Sequence, residues 1–192
     1  ATKTDPANKA TDGGTVRDGA EDANKNGRVD QGEKNPLDPA DDKDVKDSDM
    51  DGLSDDEETV IGTNPMDADS DDDGVKDGEE RFPGVDSDRD GLPNALDPDS
   101  DDDGLFDGTE LGKGCDDPAT DKSKRRCVPD ADMGATKTDP LDADTDDGGV
   151  KDGAEDANLD GKKDATEKDP LNPADDKDVV DTDTDGLSDD AE

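Results

Sequence analysis

The stretch Asp69-Ser-Asp-Asp-Asp-Gly-Val-Lys-Asp-Gly-Glu-Glu80 decides how this chain folds. Side chains that carry oxygen occupy positions 1, 3, 5, 9 and 12 of these twelve residues, and glycine occupies position 6. Short acids at alternate positions can face one centre, the glycine permits a sharp turn, and the carbonyl group of position 7 faces inward. Ca²⁺ prefers six to eight hard oxygen ligands of this kind, so the stretch predicts a calcium-binding loop.

The pattern occurs in seven complete copies, and we name each loop by its first residue. Chance enrichment in aspartate would produce a solvated acidic tract, but it would not place glycine at position 6 every time. We therefore expect at least seven Ca²⁺ ions. The predicted ligands, with position 7 contributing its backbone carbonyl, are Asp22, Asn24, Asn26, Arg28, Asp30, Glu33; Asp47, Asp49, Asp51, Leu53, Asp55, Glu58; Asp69, Asp71, Asp73, Val75, Asp77, Glu80; Asp86, Asp88, Asp90, Leu92, Asn94, Asp97; Asp99, Asp101, Asp103, Leu105, Asp107, Glu110; Asp156, Asn158, Asp160, Lys162, Asp164, Glu167; and Asp181, Asp183, Asp185, Leu187, Asp189, Glu192.

Two further copies lack some of these ligands. In the Asp144 loop, Gly148 replaces the acid at position 5, and in the Ala10 loop both Ala10 and Gly14 stand where ligands belong. Because the number of charged ligands tunes calcium affinity, we expect both loops to bind calcium more weakly than the complete loops do. The Ala10 loop should bind it more weakly than the Asp144 loop. The candidate ligands that remain are Asp144, Asp146, Asp152 and Glu155, and Asp12, Asp18 and Glu21.

The composition excludes most other classes of protein. The chain has 62 acidic and 22 basic residues, a net charge of −40, 23% hydrophobic residues and no histidine. Such a chain would repel nucleic acid, and it has no apolar run long enough to insert into a membrane. Because it lacks histidine, the usual general base, we also expect no enzyme activity. Its apolar content is too low for a conventional hydrophobic core. The predicted fold is therefore mostly irregular loop with short single-turn helices, an elongated repeat array stapled by calcium.

The clearest predicted helix runs from Ser54 to Ile61. Ser54 is a suitable N-cap, acidic residues fill the first turn, and Gly62 ends the helix. Comparable single turns are expected after the other acidic loops.

A longer repeat divides the chain. Residues 1–58 align without gaps with residues 135–192, and most aligned residues are identical. We interpret residues 1–134 as one full tandem unit and residues 135–192 as the start of the next, within a longer array.

The two cysteines, Cys115 and Cys127, lie in the longest stretch without a complete loop. A disulfide between them would stabilise the chain by about 3 kcal/mol and would imply an oxidising, extracytoplasmic location, whereas the alternative is two free thiols. The enclosed basic cluster, Lys122-Ser-Lys-Arg-Arg126, is interpreted either as local charge balance, which we favour, or as a docking patch for an acidic neighbour.

Several motifs make the chain resemble the thrombospondin type 3 repeat family, especially its bacterial cell-surface members. They are Asp47–Leu53, Asp69–Val75, Asp99–Leu105 and the linker Gly62-Thr-Asn-Pro65. The resemblance implies an irregular, elongated chain around a line of Ca²⁺ ions, outside the cell or at its surface. It also implies that some acids bridge to a second ion, with Asp41, Asp42, Asp44, Asp67 and Asp97 as candidates. The single cysteine pair departs from the many cysteines of animal relatives.

The sequence thus predicts a calcium-stiffened extracellular stalk, spacer or fibre segment that is able to self-assemble into filaments. Its partners would be calcium ions and other copies or units of the same array. Two alternatives remain open: a calcium-dependent adhesion or ligand-binding module, and an acidic calcium buffer or mineral-binding protein.

Overall fold

The computed structural model of the chain describes residues 3–5, 10–14, 18–21, 28–29, 34–42 and 46–176. The predicted Asp181 loop, the Asp22 loop apart from Arg28 and Val29, and Asp44 lie outside the described residues. The chain forms two units, one of Ala1–Ala68 with Asp77–Glu79 and one of Asp69–Lys76 with Glu80–Glu192. This division concerns packing, and the repeat boundary between residues 134 and 135 stays a prediction.

Short helices are the regular structure of the described residues, which contain no strand. This confirms the predicted fold class of irregular loops with short helices. The helices are α1 (Asp18–Glu21), α2 (Asp55–Ile61), α3 (Asp107–Glu110) and α4 (Asp152–Glu155), together with 3₁₀ turns at Asn94–Leu96 and Lys122–Lys124.

Helix α2 begins and ends as the sequence predicts. The Ser54 hydroxyl accepts a hydrogen bond from the Glu57 N–H at 3.3 Å, and the Glu57 carboxylate accepts one from the Ser54 N–H at 2.9 Å. This reciprocal capping box satisfies two N–H groups that the first turn leaves without partners. At the other end, Gly62 has φ 104° and its N–H donates to the Glu58 carbonyl at 2.7 Å.

The acidic loops share one backbone conformation. In all six loops that are described from residue 47 onward, positions 4 and 6 both have positive φ. In the Asp69 loop these are Asp72 at 69° and Gly74 at 100°. Left-handed backbone is costly for most residues but free of penalty for glycine, which explains the fixed glycine at position 6.

Backbone N–H groups orient the acids within each loop. The N–H of position 6 donates to the carboxylate of position 1, as from Gly104 to Asp99 at 3.1 Å. The N–H of position 7 donates to the carboxylate of position 5, as from Leu105 to Asp103 at 2.7 Å. These hydrogen bonds hold the carboxylates of positions 1 and 5 toward the inside of the loop.

Position 9 closes the loop. In five of the six loops described from residue 47 onward, its backbone N–H donates to the carbonyl that precedes the loop. In the Asp47, Asp99 and Asp144 loops its carboxylate also accepts from the N–H of position 2. The second of these hydrogen bonds is 2.8 Å from Ser100 to Asp107 and 3.0 Å from Thr145 to Asp152. Helices α1, α3 and α4 each begin at position 9, so each consists of the last four residues of a loop.

The interior is mainly polar. Few apolar side chains are buried among the residues that the structure describes, and four of them occupy position 7 of their loops: Leu53, Val75, Leu105 and Val150. The largest fully buried side chains are instead the position-12 glutamates, Glu21, Glu58, Glu110 and Glu155. Burial of ionisable groups on this scale requires compensating charge.

The two cysteines form the predicted disulfide, and the ring that they close lies over the Asp69 loop. Within this ring the Thr120 hydroxyl donates to the Asp69 carboxylate, and the Asp121 N–H donates to Asp72 at 2.6 Å. Lys122 and Lys124 pair with Asp116 and Asp72, as the charge-balance interpretation of the basic cluster expects.

Candidate metal centres

Carboxylates converge first within single loops. Ligand oxygens of Asp47, Asp49 and Asp51, at positions 1, 3 and 5, lie within 4.8 Å of one another. The corresponding oxygens of Asp69, Asp71 and Asp73 do the same. The structure therefore brings together the three alternating acids that the sequence singles out.

A second kind of cluster joins two loops. Asp51 and Glu58 meet Asp77, and Asp73 and Glu80 meet Asp107, again with ligand oxygens within 4.8 Å. In each case positions 5 and 12 come from one loop and position 9 from a later one. The position-9 acids Asp77 and Asp107 thus lie in clusters with acids of an earlier loop. The position-5 acid belongs to both kinds of cluster.

Glycine at position 10 makes this approach possible. The N–H of Gly78 donates to Asp51 at 2.8 Å, that of Gly108 to Asp73 at 2.7 Å, and that of Gly153 to Asp103 at 2.9 Å. A Cβ atom at any of the three would overlap the backbone carbonyl oxygen of the acid that it faces. Sequence reasoning missed these residues, although Asp-Gly-x-Glu at positions 9 to 12 would have marked the loops that dock.

We expect the variant Gly108→Ala to lose about 1–3 kcal/mol of stability, because the added methyl group collides with the Asp73 carbonyl inside a packed contact. Thermal unfolding in saturating calcium, followed by circular dichroism, measures the loss. Gly114→Ala is the matched control, since a Cβ atom there meets no atom within 4 Å. If the Gly108→Ala and Gly114→Ala variants had equal melting temperatures, the close approach of Gly108 to Asp73 would contribute nothing to stability.

The clusters are strongly acidic and buried. Burial, and then the charges of Asp49, Asp51 and Asp77, raise the pKa of Glu58 to about 8. Burial, and then Asp103 and Asp101, raise the pKa of Glu110 to about 11. Without a cation, these carboxylates repel one another in a medium that screens charge poorly.

The donor set fits a hard divalent cation. Both carboxylate oxygens of Glu58, which is 0% exposed, receive no hydrogen bond from the described residues, and Asp71 Oδ2, Asp107 Oδ2 and Glu110 Oε2 are equally without donors there. Leaving such atoms unpaired costs several kcal/mol in a low-dielectric interior, and a bound ion would remove that cost. Oxygen donors with no thiolate or imidazole favour Ca²⁺ over softer metals. When bound, the ion supplies positive charge that holds neighbouring segments together.

Asp55 differs from the position-9 acids Asp77 and Asp107, which lie in two-loop clusters. It accepts hydrogen bonds from the Lys46 ammonium and from the Ser48 N–H, the latter at 2.9 Å. The hydrogen bond from Lys46 is the largest cause of a lowered pKa of Asp55. This acid therefore already has a cationic partner, the residue that immediately precedes its loop.

The Asp86 loop is more open than the Asp69 loop. Asp86 and Asp90 are exposed, while Asp97 at position 12 is buried and has its pKa raised to about 6 by burial and then by Asp90 and Asp88. At position 9, the buried Asn94 donates to the Arg81 carbonyl at 2.8 Å. Its position 10 is alanine, and the Asp69 loop docks with the Asp99 loop instead.

The Asp156 loop also lacks the docking glycine. Asp156 is buried and accepts from the Gly161 N–H at 2.7 Å. Asp164 pairs with the Lys162 ammonium, and its N–H donates to Glu167 at 2.8 Å. The structure thus gives Asp164 a cationic partner, as it does Asp55.

In the Asp99 loop, burial raises the pKa of Asp103 to about 7, and the charges that add to this effect are those of Asp99 and Asp152. Asp152 is position 9 of the Asp144 loop, so this pair repeats the two-loop arrangement. Of the bridging candidates, Asp42 lies in a cluster with Asp12 and Glu21, whereas Asp41 accepts the Asn35 N–H at 2.9 Å. The position-7 carbonyl ligands remain predictions.

These features define a calcium-binding, aspartate-rich repeat protein. Residues 47–68 match a family model described as the bacterial TSP3 repeat, which confirms the resemblance seen in the sequence. Residues 47–68 are therefore similar to a repeat of the thrombospondin type 3 family. Neither a curated protein nor a solved structure matches the chain.

In the described part of the chain the longest helix is α2, with seven residues. None of the helices described is long and apolar enough to cross a bilayer.

Proposed function

We propose that the chain is a structural segment of an extracellular or cell-surface protein, a stalk, spacer or fibre that Ca²⁺ holds in an ordered form. The observation that carries the proposal is the burial of position-12 glutamates in clusters that contain other acids. Glu58, Glu110 and Glu155 are each at most 1% exposed. A chain that buries these groups and little else needs a cation to become ordered.

The proposal includes no catalytic role, and it favours a structural protein over a simple calcium buffer. A buffer needs accessible carboxylates, but it has no need to bury them or to dock one loop on another. The docking hydrogen bonds of Gly78, Gly108 and Gly153 join segments that are 27 to 50 residues apart. Calcium at such junctions would stiffen the chain.

Calorimetric titration with CaCl₂ tests the proposal. We expect at least seven Ca²⁺ ions per chain, with dissociation constants in the range of about 10⁻⁴–10⁻³ M that suits extracellular modules. Titration with MgCl₂ is the comparison, because Mg²⁺ demands a tighter octahedral site. Equal heats and stoichiometry with both ions would contradict a calcium-specific array.

The same proposal includes association with further copies of the array. Light scattering at increasing protein concentration, with and without calcium, distinguishes filaments from monomers. If the chain stayed strictly monomeric in calcium, the proposed spacer function would stand, but the proposed assembly into filaments would be refuted.

A further inference from the structure

The Ala10 and Asp144 loops each have a glycine where position 5 of the other loops carries an acid. In the structure, a carboxylate from a later segment occupies the space that this glycine leaves. A Cβ atom at Gly148 would overlap the Asp176 carboxylate, and a Cβ atom at Gly14 would overlap the Asp42 carboxylate. Each aspartate follows its glycine by 28 residues.

Asp176 lies among buried carboxylate oxygens that receive no hydrogen bond from the described residues. Asp176 is 4% exposed and Glu155 is 1% exposed. No N–H or hydroxyl group of the described residues donates to either oxygen of Asp176, to either oxygen of Glu155, or to Asp146 Oδ2. Asp176 and Asp146 both border the space beside Gly148, and the Glu155 carboxyl group lies within hydrogen-bond distance of Asp176. Such an arrangement is costly unless a cation joins it.

The Ala10 loop repeats the arrangement independently. Ligand oxygens of Asp12, Glu21 and Asp42 lie within 4.8 Å of one another. The N–H of Gly14 donates to Asp12, as that of Gly148 donates to Asp146, both at 2.7 Å. The sequence places these residues 134 positions apart, so the same geometry arises twice.

A recurrent turn holds the incoming acid in place. Before Asp176, the Asp169 N–H donates to the Asp175 carboxylate at 3.3 Å, and the Lys168 ammonium donates to the Asp175 carbonyl. Before Asp42, the Asn35 N–H donates to Asp41 at 2.9 Å, and the Lys34 ammonium donates to the Asp41 carbonyl at 2.5 Å. The position of each acid is therefore fixed by its own segment.

We propose that Asp42 and Asp176 complete two further calcium sites, the first with Asp12 and Glu21 and the second with Asp146 and Glu155. The two loops are then calcium sites whose missing ligand is supplied from a distant segment. A bound ion at the second site would close a segment that contains the whole Asp156 loop. The inference rests on the proposed calcium-binding function.

Native mass spectrometry of the chain in calcium counts the ions and tests this assignment. We expect Asp176→Ala to bind one Ca²⁺ ion fewer than the unmodified chain. The control Asp142→Ala removes an exposed carboxylate near the same loop and should leave the count unchanged.

A compensating pair separates a lost ligand from a damaged fold. Gly148 has no left-handed backbone, so Gly148→Asp can restore the position-5 acid of the loop. We expect Asp176→Ala combined with Gly148→Asp to recover the missing ion. In the otherwise unmodified chain, Gly148→Asp should lower thermal stability in calcium, because two carboxylates then compete for one space.

An unchanged ion count in Asp176→Ala would overturn the inference, and so would failure of the double variant to regain the ion. If the unmodified chain bound no calcium at all, the proposed function itself would fail. These two failures are distinct, because the first requires normal loading of the other loops.

Discussion

Removal of calcium is expected to convert the ordered chain into an expanded and disordered one. The net charge of −40 and the 23% hydrophobic content leave little to oppose the repulsion between carboxylates. The free energy of calcium binding is then also the free energy of folding. An unfolded chain of this length would have a radius of gyration of about 47 Å.

Small-angle scattering and circular dichroism, before and after addition of a chelator, measure this change. We expect the radius of gyration to rise toward the unfolded value and to return when calcium is restored. High salt is the control, since it screens charge without occupying the clusters. A chain whose dimensions stayed constant after removal of calcium would refute the proposal that the ion orders it.

Calcium affinity is expected to fall steeply as the pH is lowered. Calcium binds the ionised carboxylates, and protons compete most strongly where the pKa is raised, as for Glu58 at about 8 and Glu155 at about 9. For a site that needs Glu58 ionised, a change from pH 8 to pH 6 should weaken binding by roughly 50-fold.

The chain without metal should respond to pH in the opposite direction. The raised pKa of Glu58 exceeds its ordinary value of 4.5, so protonation favours the ordered form. That contribution is complete below pH 4.5 and is lost as the pH rises through about 8. The metal-free chain should therefore be more expanded at pH 9 than at pH 5.

Calorimetry at pH 6 and pH 8 measures the first effect, and scattering of the metal-free chain measures the second. Glu58→Gln should lose one pH-dependent site. Asp116→Asn is its control, because this acid has a fully exposed side chain and a pKa lowered by the hydrogen bond from Lys122. Identical affinities at the two pH values would rule out buried carboxylates as the ligands.

The local parts of the structure could be predicted from the sequence because short-range rules govern them. Ser54 and Gly62 bound α2 through hydrogen bonds within one or two turns. The glycine at position 6 fixes the loop conformation in the same way. The convergence of Asp69, Asp71 and Asp73 also needs nothing beyond the loop itself.

The contacts between loops could not be predicted in the same way. They depend on how linkers of unequal length bring one loop back against an earlier loop. Loops that are adjacent in the sequence do not always dock. Gly108 of the Asp99 loop donates to Asp73 of the Asp69 loop, although the Asp86 loop lies between them in the sequence. Position 9 was assigned from loop periodicity alone, which does not indicate that Asp107 also meets Asp73 and Glu80. Likewise, Gly148 reads as a missing ligand until Asp176 is seen in its place.

Asp51 belongs to two acidic clusters, and so does Asp73. This sharing has a consequence for how the chain responds to calcium. An ion that leaves one cluster also disturbs a ligand of its neighbour, so occupancy of the two clusters is linked. Calcium uptake along such a series should be cooperative and occur over a narrow concentration range. The chain would then respond to a threshold of external calcium rather than soften gradually.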